Sequence, residues 1–226
     1  MDELRADDTQ ALVSHNLGLV RERISRAALA AGREPDSVRL LPVSKTFGED
    51  SIRAAYASGV RLLGENKVQE AVRKHDSLND ELPGLGWAVI GHLQTNKAKM
   101  VARMATEFHA LDSARVAEAL QRRLELEDRT LDVFVQVNTS GEESKFGLDP
   151  ADAVEFARSL APYDRLVPRG LMTLALFAAD MDRVRPCFVL LRELRDRCRE
   201  FDERYRELSM GMSGDFETAI SEGATT

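Results

Sequence analysis

Several features that would place the chain in a membrane, in a secretory pathway or on nucleic acid are missing from its sequence. No apolar run approaches the roughly 20 residues of a membrane-spanning helix, and the start Met1-Asp2-Glu3-Leu4 lacks the basic and apolar character of a signal peptide. The formal net charge of −7 argues against a general nucleic-acid-binding surface. These absences predict a cytoplasmic protein that binds neither membrane nor nucleic acid.

Cysteine is scarce as well, with two residues in a chain of 226. Cys187 and Cys198 are eleven positions apart in one helical pattern, so about 16 Å separates them along the helix axis. That distance is too long for a disulfide. The sequence therefore predicts two unpaired thiols in a reducing compartment, with packing roles rather than nucleophilic ones.

What the chain does contain is a regular alternation of apolar strand candidates and helical patterns with short connections. The strand candidates lie at about 39–44, 60–64, 86–91, 107–111, 132–138, 166–171 and 207–209. The helical patterns lie at about 49–58, 66–78, 94–104, 113–127, 149–159, 181–203 and 214–222. A spacing of roughly 25 to 30 residues per unit predicts an α/β fold of the (β/α)8 TIM-barrel type. A flavodoxin-like or Rossmann sheet is the alternative.

Both ends of this pattern carry a further expectation. A helix at about 9–31 precedes the first strand, with Thr9 as a cap and Gly32 as its end. Only seven strands are visible where a closed barrel needs eight, so we expect a chain truncated before its eighth strand. The N-terminal helix would then fill the neighbouring position in the outer ring. No Pro/Gly/Ser-rich linker interrupts the pattern, which favours one domain over 1–226. The lack of a second domain and the mixed surface charge favour a monomer.

Polar side chains follow most of the strand candidates, and the first of them is a lysine. The apolar run 40–43 followed by Ser44 and Lys45 is typical of a parallel strand buried on both faces. In a β/α barrel the C-terminal strand ends carry the chemistry. Further groups at the predicted rim are Glu65-Asn66, His92, Asp112-Ser113, Asn138 and Met172-Thr173. Structural roles stay open for them: a solvated loop residue for Lys45, a packed histidine for His92, and helix caps for Asn66 and Asp112-Ser113.

The segment after the seventh strand candidate, Ser209-Met210-Gly211-Met212-Ser213-Gly214-Asp215, is the more specific signal. Its glycines allow close backbone approach, its hydroxyls can donate, and a helix follows directly, which indicates an anion site. Ser213 as a simple N-cap is the alternative. A lysine and a phosphate site on one rim predict a phosphorylated carbonyl compound held as an imine. That compound is either a sugar phosphate in a Schiff-base aldolase or pyridoxal 5'-phosphate.

Several motifs, taken in order, resemble those of the pyridoxal phosphate homeostasis proteins, the YggS/PROSC family. They are Pro42-Val43-Ser44-Lys45-Thr46, Gly64-Glu65-Asn66-Lys67-Val68-Gln69-Glu70, Ile90-Gly91-His92-Leu93-Gln94-Thr95-Asn96-Lys97, Asn138 with Glu143-Ser144-Lys145-Phe146-Gly147, Arg169-Gly170-Leu171-Met172, and Leu208-Ser209-Met210-Gly211-Met212-Ser213. The resemblance implies a fold-type III barrel like the N-terminal domain of alanine racemase.

The same resemblance implies the roles of the site residues. Pyridoxal 5'-phosphate would form a Schiff base with Lys45, Ser213 and Gly214 would hold its phosphate, and Asn66 and Met210 would line the pocket. Family members continue past the last helix with a strand that carries an arginine near the pyridine nitrogen and then a Gly-Thr pair at the phosphate. This sequence ends before that strand.

The resemblance also implies a protein that binds, buffers and delivers the cofactor to apo forms of pyridoxal-phosphate enzymes, without robust catalysis. A racemase needs a second acid or base on the opposite face of the substrate, and Tyr56, Tyr163 and Tyr205 all fall in or beside helical segments. The alternative is a weak racemase or decarboxylase in which His92 or a second lysine carries the proton. Lys145 is either a solvated loop residue or a second acceptor of the aldehyde.

Overall fold

The computed structural model describes residues 6–226, so the Met1–Leu4 start compared above with signal peptides lies outside the described residues. Six strands form one parallel sheet in chain order: β1 (Leu62–Glu65), β2 (Gly86–Val89), β3 (Glu107–Leu111), β4 (Leu131–Gln136), β5 (Leu166–Met172) and β6 (Glu207–Ser209). Eight α-helices surround it: α1 (Ala6–Ala30), α2 (Glu49–Ala57), α3 (Val68–Leu78), α4 (Ala98–Met104), α5 (Ala114–Leu126), α6 (Ala153–Ser159), α7 (Met181–Arg199) and α8 (Phe216–Ser221).

This arrangement confirms the predicted β/α alternation as an incomplete barrel. Each strand pairs in parallel with the next one along the chain, and a helix lies between every two of them, so the sheet curls in one direction. All five residues of β3 are buried, as expected for a strand covered on both faces. Helices α6 and α7 are each about four residues shorter than predicted. Before α6, Asp149 instead closes a turn by accepting the Ala151 N–H at 2.8 Å.

The first predicted strand, 39–44, is wrong as a buried strand. The segment is extended but makes only one isolated parallel bridge, from Val43 to Gly64. Two hydrogen bonds form it, Gly64 N to Pro42 O at 2.8 Å and Ser44 N to Gly64 O at 3.0 Å. Pro42 has no N–H and cannot continue the ladder. The segment is also only partly covered, because Val43 is 37% exposed.

The last two residues of the chain lie between this first segment and β6. Thr225 N donates to Leu208 O at 2.9 Å, and Met210 N donates to Thr226 O at 3.1 Å. On the other side, Arg39 N donates to Thr225 O at 2.8 Å. These bonds connect the two ends of the sheet, so the C-terminal end of β6 and the end of the first segment belong to one rim.

Helix α1 covers the same junction from outside. It packs against α2 and α8 through a stripe in which Leu17, Ile24 and Ala28 are buried. The prediction of Thr9 as its cap is wrong, since Thr9 lies inside a helix that already includes Ala6. The predicted end is confirmed: Gly32 has φ +68°, a left-handed conformation that favours glycine after a helix.

Both cysteines lie in the part of the chain that the structure describes. Cys187 and Cys198 are both buried and unpaired, which confirms the predicted absence of a disulfide between them. Burial raises the pKa of the Cys198 thiol to about 11, so it is a poor nucleophile at neutral pH. Within residues 6–226, no helix has the length and apolar character to cross a membrane.

Candidate functional site

Alternation along the first segment places Leu41 and Val43 on one face and Ser44 on the other. A Cβ on Gly64 would lie 3.3 Å from Val43 Cγ2 and 3.5 Å from Leu41 Cγ, so these side chains share one face. Ser44 turns the opposite way, towards helix α3, where its hydroxyl donates to Glu65 Oε1 at 2.7 Å. Lys45 directly follows Ser44, at the point where the extended segment ends in a turn, and it is exposed.

Behind Lys45, between the sheet and α3, lies a buried ionic cluster formed by Lys74, Glu65 and Glu70. Lys74 Nζ donates to Glu65 Oε1 at 2.5 Å, to Ser44 O at 2.6 Å and to Glu70 Oε1 at 2.8 Å. The Lys74 side chain is 1% exposed and that of Glu65 is 0% exposed. An ion pair withdrawn from water to this extent is tolerated only when it is hydrogen-bonded as well. The three bonds of Lys74 meet that condition for the ammonium, whereas Glu65 Oε2 has no partner in residues 6–226.

The cluster also holds the turn that contains Lys45. Thr46 N donates to Glu70 Oε1 at 3.1 Å, and Phe47 N donates to Ser44 O at 3.0 Å. The hydrogen bond from Lys74, followed by that from the Thr46 amide, lowers the pKa of the Glu70 carboxyl. Thr46 has φ +70°, which costs a β-branched residue on the order of 1–3 kcal/mol and persists only where neighbours fix it.

The loop after β6 leaves backbone donors available at Ser213 and Gly214. Met212 O accepts from Asp215 N at 3.1 Å and from Phe216 N at 3.0 Å, and the Asp215 carboxylate accepts from Met212 N. Ser213 and Gly214 are exposed. Among the groups that residues 6–226 provide, none accepts from the N–H of either one. Burial raises the pKa of the Asp215 carboxyl.

Two glycines define the shape of this loop. Gly211 has φ +99°, and a Cβ there would lie 2.9 Å from Ala219 Cβ and 3.0 Å from Phe216 Cα, so the loop requires glycine. At Gly214 a Cβ would meet nothing within 4 Å. The alternative role of Ser213 as an N-cap is wrong, because α8 begins at Phe216 and has no side-chain cap. Two free amides, a hydroxyl and open space fit a phosphate group.

The remaining predicted pocket residues lie at the same rim. Asn66 directly follows β1 and is exposed. It does not cap α3, whose N-cap is Lys67. A Cβ on Gly91 would lie 2.1 Å from Asn66 O, so glycine after β2 allows the two strand ends to approach. Met210 directly follows β6 and is buried. Lys45, Asn66, Met210, Ser213 and Gly214 therefore share one rim, and their binding roles stay a prediction.

His92 and Asp112 form a pair on this rim. His92 Nδ1 lies 3.2 Å from Asp112 Oδ2, and the imidazole stacks on Phe146 with a centroid separation of 4.1 Å. Of the predicted Asp112-Ser113 cap, only Ser113 acts as one, since its hydroxyl accepts from Val116 N at 3.4 Å.

The Lys145 side chain is bound by neighbouring polar groups, so its interpretation as a freely solvated loop residue is wrong. Its Nζ donates to Ala175 O at 2.8 Å and pairs with Glu142 Oε2 at 2.5 Å. The side chain is 22% exposed. It is a tethered lysine in the loop after β4, some of whose donors are already in use.

A column of hydrogen-bonded polar side chains, which was not predicted from the sequence, crosses the barrel interior below the rim. Arg39 donates to both carboxylate oxygens of Glu107, at 2.5 and 2.9 Å. Glu107 Oε2 lies 2.7 Å from His109 Nε2, and His109 Nδ1 lies 2.8 Å from Ser209 Oγ. Burial lowers the pKa of the His109 imidazole, although Glu107 opposes the shift. The column links the first segment to the residue just before Met210.

Gln136, at the end of β4, is a further buried polar side chain that was missed. Its Nε2 donates to Phe146 O at 3.2 Å, and its Oε1 has no partner in residues 6–226. Phe134, two residues earlier on the strand, contacts His109 with a centroid separation of 4.1 Å. Gln136 therefore shares the inner face of the barrel and offers it an unused acceptor.

Lys74 was not predicted as part of the site, although its position in the sequence carries a recognisable signal. Lys74 lies in the buried stripe of α3 with Val68, Ala71 and Leu78, and a lysine in an apolar stripe is rarely left without partners. Glu70, four residues earlier, is a natural candidate for one of them. For His109 and Gln136 no such signal exists, because their partners come from other strands.

The chain is similar to known proteins both in sequence and in fold. The family model described as "Alanine racemase, N-terminal domain" matches residues 15–225. A pyridoxal phosphate homeostasis protein of Aquifex aeolicus is 40% identical over 210 residues, covering 92% of this chain and 91% of the relative. A crystal structure of an unknown protein from Bifidobacterium adolescentis is similar with a TM-score of 0.93 at 36% identity, covering 99% of this chain and 95% of that one. The structure of PipY from Synechococcus elongatus PCC7942 with PLP bound is similar with a TM-score of 0.78 at 35% identity, covering 89% and 94%.

Proposed function

We propose that this chain, which belongs to the pyridoxal phosphate homeostasis protein family, binds pyridoxal 5'-phosphate through Lys45 and holds the cofactor for other proteins. The observation that carries the proposal is the convergence of two groups on one rim. These are a lysine with an exposed amine at the end of the first segment, and the open Ser213 and Gly214 amides after β6. PipY, similar over 89% of this chain, is described with PLP bound.

Each predicted site residue then has a defined task. Lys45 supplies the amine that bonds to the cofactor aldehyde, with loss of one water. The Ser213 hydroxyl and the Ser213 and Gly214 amides hold the phosphate. Asn66 and Met210 border the ring, Asn66 with an exposed amide and Met210 with a buried thioether. When bound, the cofactor supplies an electron sink, which is the chemistry that pyridoxal enzymes use.

A carrier is favoured over a catalyst because other titratable groups of the described rim are already engaged. His92 is paired with Asp112, and Lys145 is tied to Glu142 and Ala175 O. Two of the three tyrosines are committed elsewhere: Tyr56 Oη donates to Pro83 O and Tyr205 Oη to Ala157 O. A racemase needs acid and base on both faces of its substrate, and this rim offers no second group in an evident position.

The proposal extends to the setting in which the chain works. We place it in the cytoplasm, where its two free thiols would stay reduced, as a monomeric single domain that passes the cofactor to apo forms of pyridoxal-phosphate enzymes. The exposed Lys45 supports transfer, since a second protein can reach an amine that is not enclosed.

The experiment that tests the binding role is an absorbance titration with pyridoxal 5'-phosphate. The wild-type chain should develop the absorbance band of the imine at the boundary between the ultraviolet and the visible region, and Lys45→Ala should not. Lys99→Ala, which removes an exposed lysine on α4, is the matched control and should behave as wild type. An unchanged spectrum of the free cofactor in the presence of wild-type protein would end the proposal.

The carrier role needs a separate assay. The loaded protein is incubated with L- and D-amino acids, and in parallel with an apo pyridoxal-phosphate enzyme whose recovered activity reports transfer. We expect transfer without racemisation. Racemisation at ordinary enzyme rates that disappears in Lys45→Ala would replace the carrier by the weak-racemase alternative, and His92→Asn would then identify the proton carrier.

A further inference from the structure

The cluster behind Lys45 is built around the backbone of its two neighbours. Ser44 is held at three of its atoms: its carbonyl oxygen by Lys74 at 2.6 Å, its hydroxyl by Glu65 at 2.7 Å, and its N–H by Gly64 O at 3.0 Å. Thr46 is held through its N–H by Glu70 at 3.1 Å. The residue between them, Lys45, makes no such contact within the described part of the chain. Its backbone direction is therefore set by the cluster.

Lys74 connects these contacts to one another. An ammonium has three N–H donors, and the three Lys74 bonds to Ser44 O, Glu65 and Glu70 use all of them. With its side chain 1% exposed, Lys74 cannot itself reach an aldehyde at the rim. Glu70 shares its Oε1 between Lys74 and Thr46 N. Removal of the ammonium therefore releases Ser44 O directly and also frees the carboxylate that holds Thr46 to reorient.

The turn needs this support because its conformation is unfavourable. The φ of +70° at Thr46 is rare for a β-branched residue. Without external bonds, the backbone at this position relaxes towards a negative φ, and the preceding residue changes direction with it. The expected result is a displaced Lys45 amine.

We infer that Lys74 is a positioning residue for Lys45: with Glu65 and Glu70 it fixes the Ser44–Thr46 turn so that the Lys45 amine meets the cofactor aldehyde. The inference rests on the proposed function and deepens it. It assigns to a buried lysine a part in formation of the covalent bond without contact to the cofactor.

The test compares two ligands that differ only at the reacting carbon. Pyridoxal 5'-phosphate carries an aldehyde, and pyridoxine 5'-phosphate carries an alcohol in its place and cannot bond to an amine. In Lys74→Met, the imine band should be weaker and the affinity for pyridoxal 5'-phosphate should fall about tenfold or more, because the covalent bond adds to the affinity only when the amine is correctly placed. The affinity for pyridoxine 5'-phosphate should stay at the wild-type value.

Two further variants keep the test decisive. Glu70→Ala releases Thr46 at a position whose side chain is 21% exposed, and it should give the same selective loss if Lys74→Met does not fold. Arg129→Met is the matched control. It removes a cation that donates to two backbone carbonyls, Ala102 O at 2.5 Å and Ala105 O at 2.8 Å, before β4 at the other end of the barrel. It should bind both ligands as wild type does.

The possible outcomes separate the inference from the proposed function. Wild-type affinities for both ligands in Lys74→Met and Glu70→Ala overturn the inference and leave the proposed function standing. An equal loss of both ligands also overturns it, because a general packing role would act on the pocket as a whole. Absence of the imine band in the wild-type chain removes the proposed function, and the inference falls with it.

Discussion

Replacing Glu107 by Gln removes a charge on which the barrel interior depends. The carboxylate accepts two hydrogen bonds from Arg39 and one from His109, and its side chain is 9% exposed. Burial alone would raise the pKa of this carboxyl, but the hydrogen bonds from His109 and Arg39 and the charge of Arg39 lower it to about 2 from its ordinary 4.5. The difference translates into folding stability through proton linkage.

The magnitude and its pH range follow from these two values. A fall of about 2.5 pH units at about 1.4 kcal/mol each gives roughly 3 kcal/mol at neutral pH. The native pKa is depressed, so this contribution is complete well above pH 4.5 and is lost as the pH falls towards 2. About 2 kcal/mol of it is gone by pH 3. Acid also charges His109, whose pKa is lowered by burial, and this acts in the same direction.

The assay is urea unfolding of wild type and Glu107→Gln at pH 7, 4 and 3. At pH 7 the variant should be about 3 kcal/mol less stable, and the gap should shrink to about 1 kcal/mol at pH 3. Glu118→Gln, which breaks the exposed pair with Arg122, should change little at any pH. A gap between wild type and Glu107→Gln that is the same at all three pH values would refute the reasoning.

Two further predictions concern other parts of the chain. Gly211→Ala should lower the free energy of unfolding by about 2 kcal/mol or more, because the new Cβ meets Ala219 and the backbone has φ +99°. Gly214→Ala should leave the unfolding midpoint unchanged and weaken pyridoxal 5'-phosphate binding, since its Cβ enters the space for the phosphate; equal stability loss in the two variants would contradict the loop geometry. Cys187 and Cys198 should react with a thiol reagent far more slowly in native than in urea-unfolded protein, because both are buried, and fast labelling of the native chain would be inconsistent with that burial.

Much of the fold could be predicted because the alternation of apolar runs and helical stripes is local information. Strand β3 and strand β6 have the predicted bounds, 107–111 and 207–209. Each is a short apolar run between two segments with a helical pattern. The first strand failed because the apolar run 40–43 contains Pro42. A proline lacks the N–H that the next hydrogen bond between the strands needs. The composition of the run also does not reveal that the segment is only partly covered by the rest of the fold.

The candidate site was predictable only in part, for a similar reason. The rim positions of Lys45, Asn66 and Ser213 follow from strand order, because parallel strands place their C-terminal ends together. The cluster around Lys74 and the interior contact of His109 with Ser209 depend on side chains that meet across the fold. Pairing at sequence separations such as the 100 residues between His109 and Ser209 has no local signature.

The most direct test of the central claim is to trap the cofactor on the chain and identify the residue that carries it. Protein loaded with pyridoxal 5'-phosphate is treated with borohydride, which reduces the carbon–nitrogen bond and makes it permanent, and is then digested with trypsin. We predict one modified peptide, 40–53, left uncut at Lys45 and heavier by the reduced cofactor. Modification at Lys145 or Lys74 in its place, or no modified peptide at all, would contradict the role of Lys45.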